Sequence, residues 1–94
     1  MKERILTAHP DGKKGVNILK SKYDFIRANI IEVLKEVEEI TYVELNHILK
    51  NHPKDTFDGS VAWYVVTVKL DLEAKNIIER VPKTSPHKIR LVQQ

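Results

Sequence analysis

Apolar residues recur at steps of three and four along the stretch SKYDFIRANIIEVLKEVEE, residues 21–39. This spacing places them on one face of a helix and predicts a first amphipathic helix. Ser21 and Asp24 resemble a capping box at its start. The residues expected to face the core are Tyr23, Ile26, Ile30, Val33, Leu34 and Val37.

A second helix is predicted to begin at Thr41. Thr41 and Glu44 form the pattern of a capping box, in which each side chain bonds the backbone amide of the other residue. The helix should stop near Asn51, because Pro53 disfavours helical geometry at the residue before it. Its inward-facing residues are expected to be Tyr42, Leu45, Ile48 and Leu49.

The stretch SVAWYVVTVKLDLEAK, residues 60–75, predicts a third helix. Asp58 or Ser60 is available to cap its first turn. Asn76 follows at a position where a left-handed residue commonly ends a helix. The expected core residues of this helix are Val61, Val65, Val68 and Leu72.

Short β-favouring runs lie at both ends of the chain. Residues 4–8 are followed by the turn signal HPDG, with a return strand expected through Val16 and Ile18. The Gly12-Lys13-Lys14-Gly15 segment has the GxxG form with which KH domains clamp nucleic acid. It lacks a preceding helix, so we interpret it as a turn. Near the other end, IIERV and HKIRLV flank PKTSP and predict a β-hairpin.

From residue 21 to 92, three helices followed by a basic hairpin resemble the winged helix-turn-helix family, particularly small bacterial members. The third helix of that family typically ends in a frame occupied here by Leu72, Asn76, Ile77, Ile78 and Arg80. The resemblance implies a mainly α fold with a small β component, in which the C-terminal hairpin is the wing. We therefore expect a winged-helix domain over residues 20–94, preceded by a strand and turn extension over residues 1–19.

The resemblance also implies a DNA-binding protein, a transcription regulator or accessory factor, that contacts double-stranded DNA with its third helix and wing. Charge is consistent with this, since residues 1–22 carry a net +4 and residues 76–94 a net +3. The candidate nucleic-acid-binding residues are Ser60, Trp63, Thr67, Lys69, Arg80, Lys83, Lys88 and Arg90.

The outward face of the third helix favours an alternative, a winged-helix protein-interaction or dimerisation module. Apart from Thr67, that face is apolar, whereas a helix that reads the major groove usually presents Arg, Lys, Asn or Gln. We expect Trp63, Val66 and Leu70 to form a partner interface. Either the N-terminal segment around Ile5 and Leu6 covers them, or a second copy does.

Composition narrows the remaining possibilities. With 94 residues the chain can form one small domain, and the absence of cysteine excludes disulfides and thiolate metal sites. No signal peptide or long apolar run is visible, so we expect a cytoplasmic protein without membrane contact. His47 and His52 lie five residues apart, which does not suit a metal pair on one helix face. We expect no enzyme activity, no cofactor and no small-molecule ligand.

Overall fold

The computed structural model describes residues 3–50 and 60–92 and shows a mainly helical domain with two small antiparallel sheets. The helices are α1 (Lys20–Glu36), α2 (Tyr42–Lys50) and α3 (Val61–Ala74). The strands are β1 (Arg4–Leu6), β2 (Asn17–Leu19), β3 (Ile40–Thr41), β4 (Ile78–Val81) and β5 (Lys88–Leu91).

The apolar period of α1 is confirmed for four of its six predicted inward positions. Val33 is only partly buried, and Val37 is 36% exposed because it lies just beyond the helix, at its C-cap. The predicted capping box at Ser21 is wrong. β2 continues directly into α1, which begins at Lys20, and the preceding Leu19 makes no side-chain cap. Asp24 instead forms an exposed ion pair with Lys20, with 2.7 Å between carboxylate and ammonium. The buried residues of this helix are Tyr23, Ile26, Ile30 and Leu34.

The capping box at the start of α2 is confirmed. The backbone amide of Glu44 donates to the Thr41 hydroxyl at 3.1 Å, and the Thr41 amide donates to the Glu44 carboxylate at 3.2 Å. Leu45 and Leu49 are buried, but Ile48, also expected inside, is 40% exposed. The predicted cap at Asp58 lies outside the described residues.

Both predicted ends of α3 are confirmed. The Ser60 hydroxyl accepts a hydrogen bond from the Trp63 amide at 3.2 Å. Asn76, just beyond the helix, has a φ of 59°, in the left-handed region that asparagine tolerates. Val65, Val68 and Leu72 have no exposed surface and pack against α1 and α2, so they form the centre of the core.

The GxxG segment belongs to the connection between β1 and β2, and its first glycine closes a turn, since the Gly12 amide donates to the His9 carbonyl at 3.0 Å; residues 13–15 continue it without regular structure. Gly12 has a φ of 75°, which favours glycine. Gly15 packs directly on the backbone of Thr7, where an added Cβ would lie 1.6 Å from the Thr7 carbonyl oxygen. The hairpin is also tied to the core, because its paired residues Ile5 and Ile18 both pack there.

The second sheet has the strand order β3–β5–β4. It therefore joins the segment between α1 and α2 to the C-terminal part of the chain. β3, between α1 and α2, pairs with β5 through Ile40 and Ile89, which are both buried. β4 and β5 form the predicted C-terminal hairpin, in which Glu79 lies opposite Arg90. The sheet therefore holds this hairpin against the three helices.

Candidate contact surface on α3 and the C-terminal hairpin

The three charged side chains of α3 are all neutralised within the chain. Lys69 lies 2.7 Å from Glu73, and Arg80 of β4 approaches the same carboxylate at 3.5 Å. Asp71 has no exposed surface and pairs with Lys75 at 3.0 Å. The helix therefore offers a partner no free charge.

Two predicted nucleic-acid-binding residues, Thr67 and Lys69, are buried, and this corrects the prediction that they contact DNA. Lys69 forms an ion pair with Glu73 along α3, and only 10% of its side chain is exposed, so its ammonium does not project into solvent. Thr67 lies one turn before Asp71, whose carboxylate accepts a 2.8 Å hydrogen bond from the backbone amide of Ala8. The N-terminal segment thus contacts this side of α3.

The buried carboxylate of Asp71 joins three parts of the chain. Besides the Ala8 amide, the Tyr23 hydroxyl of α1 donates to it. The Lys75 ammonium also donates to the Tyr23 oxygen at 3.2 Å. Donors from the N-terminal segment, α1 and the end of α3 therefore satisfy a charge that would be strongly unfavourable alone.

The pKa values in this cluster follow from its geometry. Burial and the hydrogen bond to Asp71 raise the pKa of the Tyr23 hydroxyl above its usual value of 10.0. Burial alone would lower the pKa of Lys75, but its hydrogen bonds to Asp71 and Tyr23 outweigh that effect and raise it. Both groups therefore keep their protons more firmly in the folded protein.

The outward stripe of α3, defined as Trp63, Val66 and Leu70, remains open to solvent. Trp63 is 43% exposed, and its ring meets that of Tyr64 edge to face, with centroids 4.9 Å apart. Val66 and Leu70 are partly exposed and lie outside the core cluster. The N-terminal segment does not close the stripe at Trp63, and Leu6, expected as a cover, is itself 63% exposed.

Three of the four predicted cations of the C-terminal hairpin have acidic partners. Arg90 bonds Glu79 at 2.7 Å on the neighbouring strand. Lys88 lies 3.4 Å from Glu39, and Arg80 reaches Glu73 as described above. Lys83 differs, because it is exposed in the hairpin turn, with a φ of 62°.

The described residues give no clear support for a metal site, a membrane span or a ligand pocket, none of which the sequence led us to expect. Among the described residues, no three His, Asp or Glu side chains converge on a position that could hold a metal ion. None of the described helices is long and apolar enough to cross a bilayer. A groove of about 580 Å³ separates the end of α1 from β5, but its glutamates, Glu36, Glu38 and Glu39, are exposed.

Comparison with known proteins gives one result. A family of unknown function, DUF6958, matches residues 4–89, from the first strand to the last. The chain belongs to this family. No curated protein and no solved structure matches it. The DUF6958 match includes the β1–β2 hairpin, in agreement with the contacts that tie this hairpin to α1 and α3.

Sequence reasoning brought several residues of this DUF6958 surface together but missed the Asp71 cluster. Trp63, Val66 and Leu70 share one face of α3, as their spacing predicts. The only local signal for the cluster was the Asp71 and Lys75 pair, four residues apart on a helix. Tyr23 and Ala8 are remote in sequence, so nothing in their own neighbourhood indicates this contact.

Proposed function

We propose that this DUF6958 protein is a winged-helix module that binds another protein through the outward stripe of α3. The order α1–β3–α2–α3–β4–β5 and the sheet order β3–β5–β4 support the winged-helix assignment, with β4–β5 as the wing. The module acts by binding and not by catalysis. We propose a cytoplasmic location, because a chain without cysteine needs no oxidising compartment.

One observation carries the proposal: the outward side of α3 is apolar and uncharged. Its half-exposed tryptophan lies beside two partly exposed aliphatic side chains, while its three charged residues are held in intrachain ion pairs. Interface centres are enriched in aromatic residues and depleted of charge. Tryptophan is also one of the residue types enriched among the few interface positions that dominate binding energy.

The same helix is less suited to reading bases in a DNA major groove than to binding protein. Specific readout uses side chains that form hydrogen bonds with base edges, most often Arg or Lys with guanine and Asn or Gln with adenine. Of the four predicted contact residues on α3 and at its N-cap, Thr67 and Lys69 are buried, and Ser60 offers only one hydroxyl, which already accepts a hydrogen bond from the Trp63 amide. Trp63 is left, and its indole suits apolar contact better than base readout.

Photo-cross-linking in cells tests the proposal. A photoreactive amino acid at position 70 should give covalent adducts with protein, because Leu70 lies in the stripe. The matched control places the same amino acid at Leu6, an exposed apolar position on β1. Adducts at position 70 and few at position 6 support the proposal. Equal labelling at both positions, or none at position 70, contradicts it.

The wing supports a second candidate function, non-specific contact with the phosphates of duplex DNA. Lys83 is exposed in the hairpin turn, and the ion pairs of Arg80, Lys88 and Arg90 are partly exposed. Exposed ion pairs contribute only about 0 to 1 kcal/mol, so a phosphate could replace the carboxylate partner. The salt dependence of duplex binding tests this candidate.

A further inference from the structure

We infer that the partner on the α3 stripe is a second copy of this chain, related by a two-fold axis so that the two α3 helices pack antiparallel. The inference rests on the proposed function, because it names the occupant of the same surface. Two properties of α3 support it, the spacing of the stripe and the neutralisation of the charges beside it.

The spacing of the stripe is self-complementary. Trp63 and Leu70 lie about 10.5 Å apart along the helix axis, and Val66 lies within about 1 Å of their midpoint. If the two-fold axis passes through this midpoint, Trp63 of each copy lies opposite Leu70 of the other copy, so the same pair forms at both ends of the contact. Val66 then lies next to its own counterpart. A large side chain thus meets a smaller one at each end, and the smallest lies at the centre.

The charges beside the stripe satisfy a condition specific to self-association. Across a two-fold axis each patch meets the same patch, so an unpaired cation or anion near the axis would face its own charge. Lys69 and Glu73, which flank Val66 on the helix, already neutralise each other at 2.7 Å. Asp71, on the other flank, is buried and paired with Lys75. Two copies can therefore approach without repulsion between α3 charges.

Cysteine cross-linking tests the arrangement, and the chain contains no native cysteine to interfere. Val66→Cys should form a disulfide-linked dimer under mild oxidation. A mixture of Trp63→Cys and Leu70→Cys proteins should form the mixed dimer faster than either forms its own. Leu6→Cys, with an exposed thiol on β1, is the control for random collision. Circular dichroism confirms that each variant retains its fold.

The outcomes separate this inference from the proposed function. Rapid cross-linking at Val66 and preferential pairing of positions 63 and 70 support the two-fold arrangement. Leu70→Glu should accordingly reduce the solution mass of the unmodified protein from two chains to one. Cross-linking no faster than in Leu6→Cys, with a one-chain mass at all concentrations, overturns the inference. If photo-cross-linking at position 70 then captures a different protein, the proposed function stands; without any adduct, both fail.

Discussion

The hydroxyl of Tyr23 on α1 donates a hydrogen bond to the carboxylate of Asp71 on α3, a residue with no exposed surface. The same carboxylate accepts from the Ala8 amide, which precedes the turn between β1 and β2. One buried charge therefore connects the N-terminal segment to both long helices. The stripe of α3 lies on a helix whose position depends in part on this cluster.

Tyr23→Phe should destabilise the fold by about 1 to 3 kcal/mol, because it removes a donor from a buried carboxylate while keeping the aromatic ring. Denaturant unfolding measures this change. Hydrogen exchange at the Ala8 amide should accelerate in the variant, since the cluster that holds this amide is weakened. The control is Asp24→Asn, which breaks only the exposed pair with Lys20. Similar losses in the two variants would contradict the role given to Asp71.

The same cluster predicts how stability responds to alkaline pH. The pKa values of Tyr23 and Lys75 are raised by folding, so their contribution is fully present below the unfolded values of 10.0 and 10.5. It is lost as pH rises through the higher folded values. Wild-type protein should therefore lose stability above pH 10 more steeply than Tyr23→Phe. A parallel decline of both proteins would exclude a contribution from Tyr23.

Gly15→Ala should destabilise the protein by about 3 kcal/mol, because its Cβ would overlap the backbone of Thr7. Gly12→Ala meets no neighbouring atom but must adopt a φ of 75°, which should cost about 1 to 2 kcal/mol. Asparagine separates the two causes. Gly12→Asn should recover part of the loss, whereas Gly15→Asn should recover none. Thermal or denaturant unfolding of the four variants measures the difference.

Features that depend on residues close together in the sequence could be predicted, and features that depend on distant residues could not. The periodicity of α1 and the caps at Thr41 and Ser60 depend on residues within a few positions, and they were predicted. The burial of Thr67 and Lys69 was missed, because the contacts that the N-terminal segment makes with α3 at Asp71, and β4 at Glu73, are remote in sequence and periodicity cannot reveal them. Ser21 failed as a cap for a related reason. β2 runs straight into α1, so the helix begins before the local pattern suggests.

Thr41 should lower the pKa of the Glu44 carboxyl in the folded protein. The Thr41 hydroxyl, and then its backbone amide, donate to that carboxylate and favour its ionised form. In a carboxyl titration followed by NMR, Glu44 should titrate below its usual 4.5 and move upward in Thr41→Ala. The stability from this contact is present above the unfolded pKa and is lost as pH falls through the folded pKa. An unchanged Glu44 titration in Thr41→Ala would rule out this contact.

Lys83→Glu with Lys88→Glu tests the second candidate function. If each lysine neutralises one phosphate, the variant should bind duplex DNA more weakly and reduce the slope of log affinity against log salt by about 1.8. The matched control is Lys13→Glu with Lys14→Glu, which reverses the charge of two exposed lysines between β1 and β2 and changes the net charge by the same amount. A slope that falls equally in the control, or no duplex binding by the wild type at low salt, argues against phosphate contact by the β4–β5 hairpin.

The central claim is that the α3 stripe binds protein, and specifically a second copy of this chain. The fluorescence of Trp63 tests this claim most directly. It is the single tryptophan of the chain, so its quenching by acrylamide reports exposure of the stripe alone. In the wild type, quenching should decrease as protein concentration rises, and it should not decrease when duplex DNA is added to dilute protein. In Leu70→Glu, quenching should stay constant as protein concentration rises. Quenching that is independent of protein concentration but decreases on addition of duplex DNA would contradict the claim and make Trp63 a nucleic-acid contact.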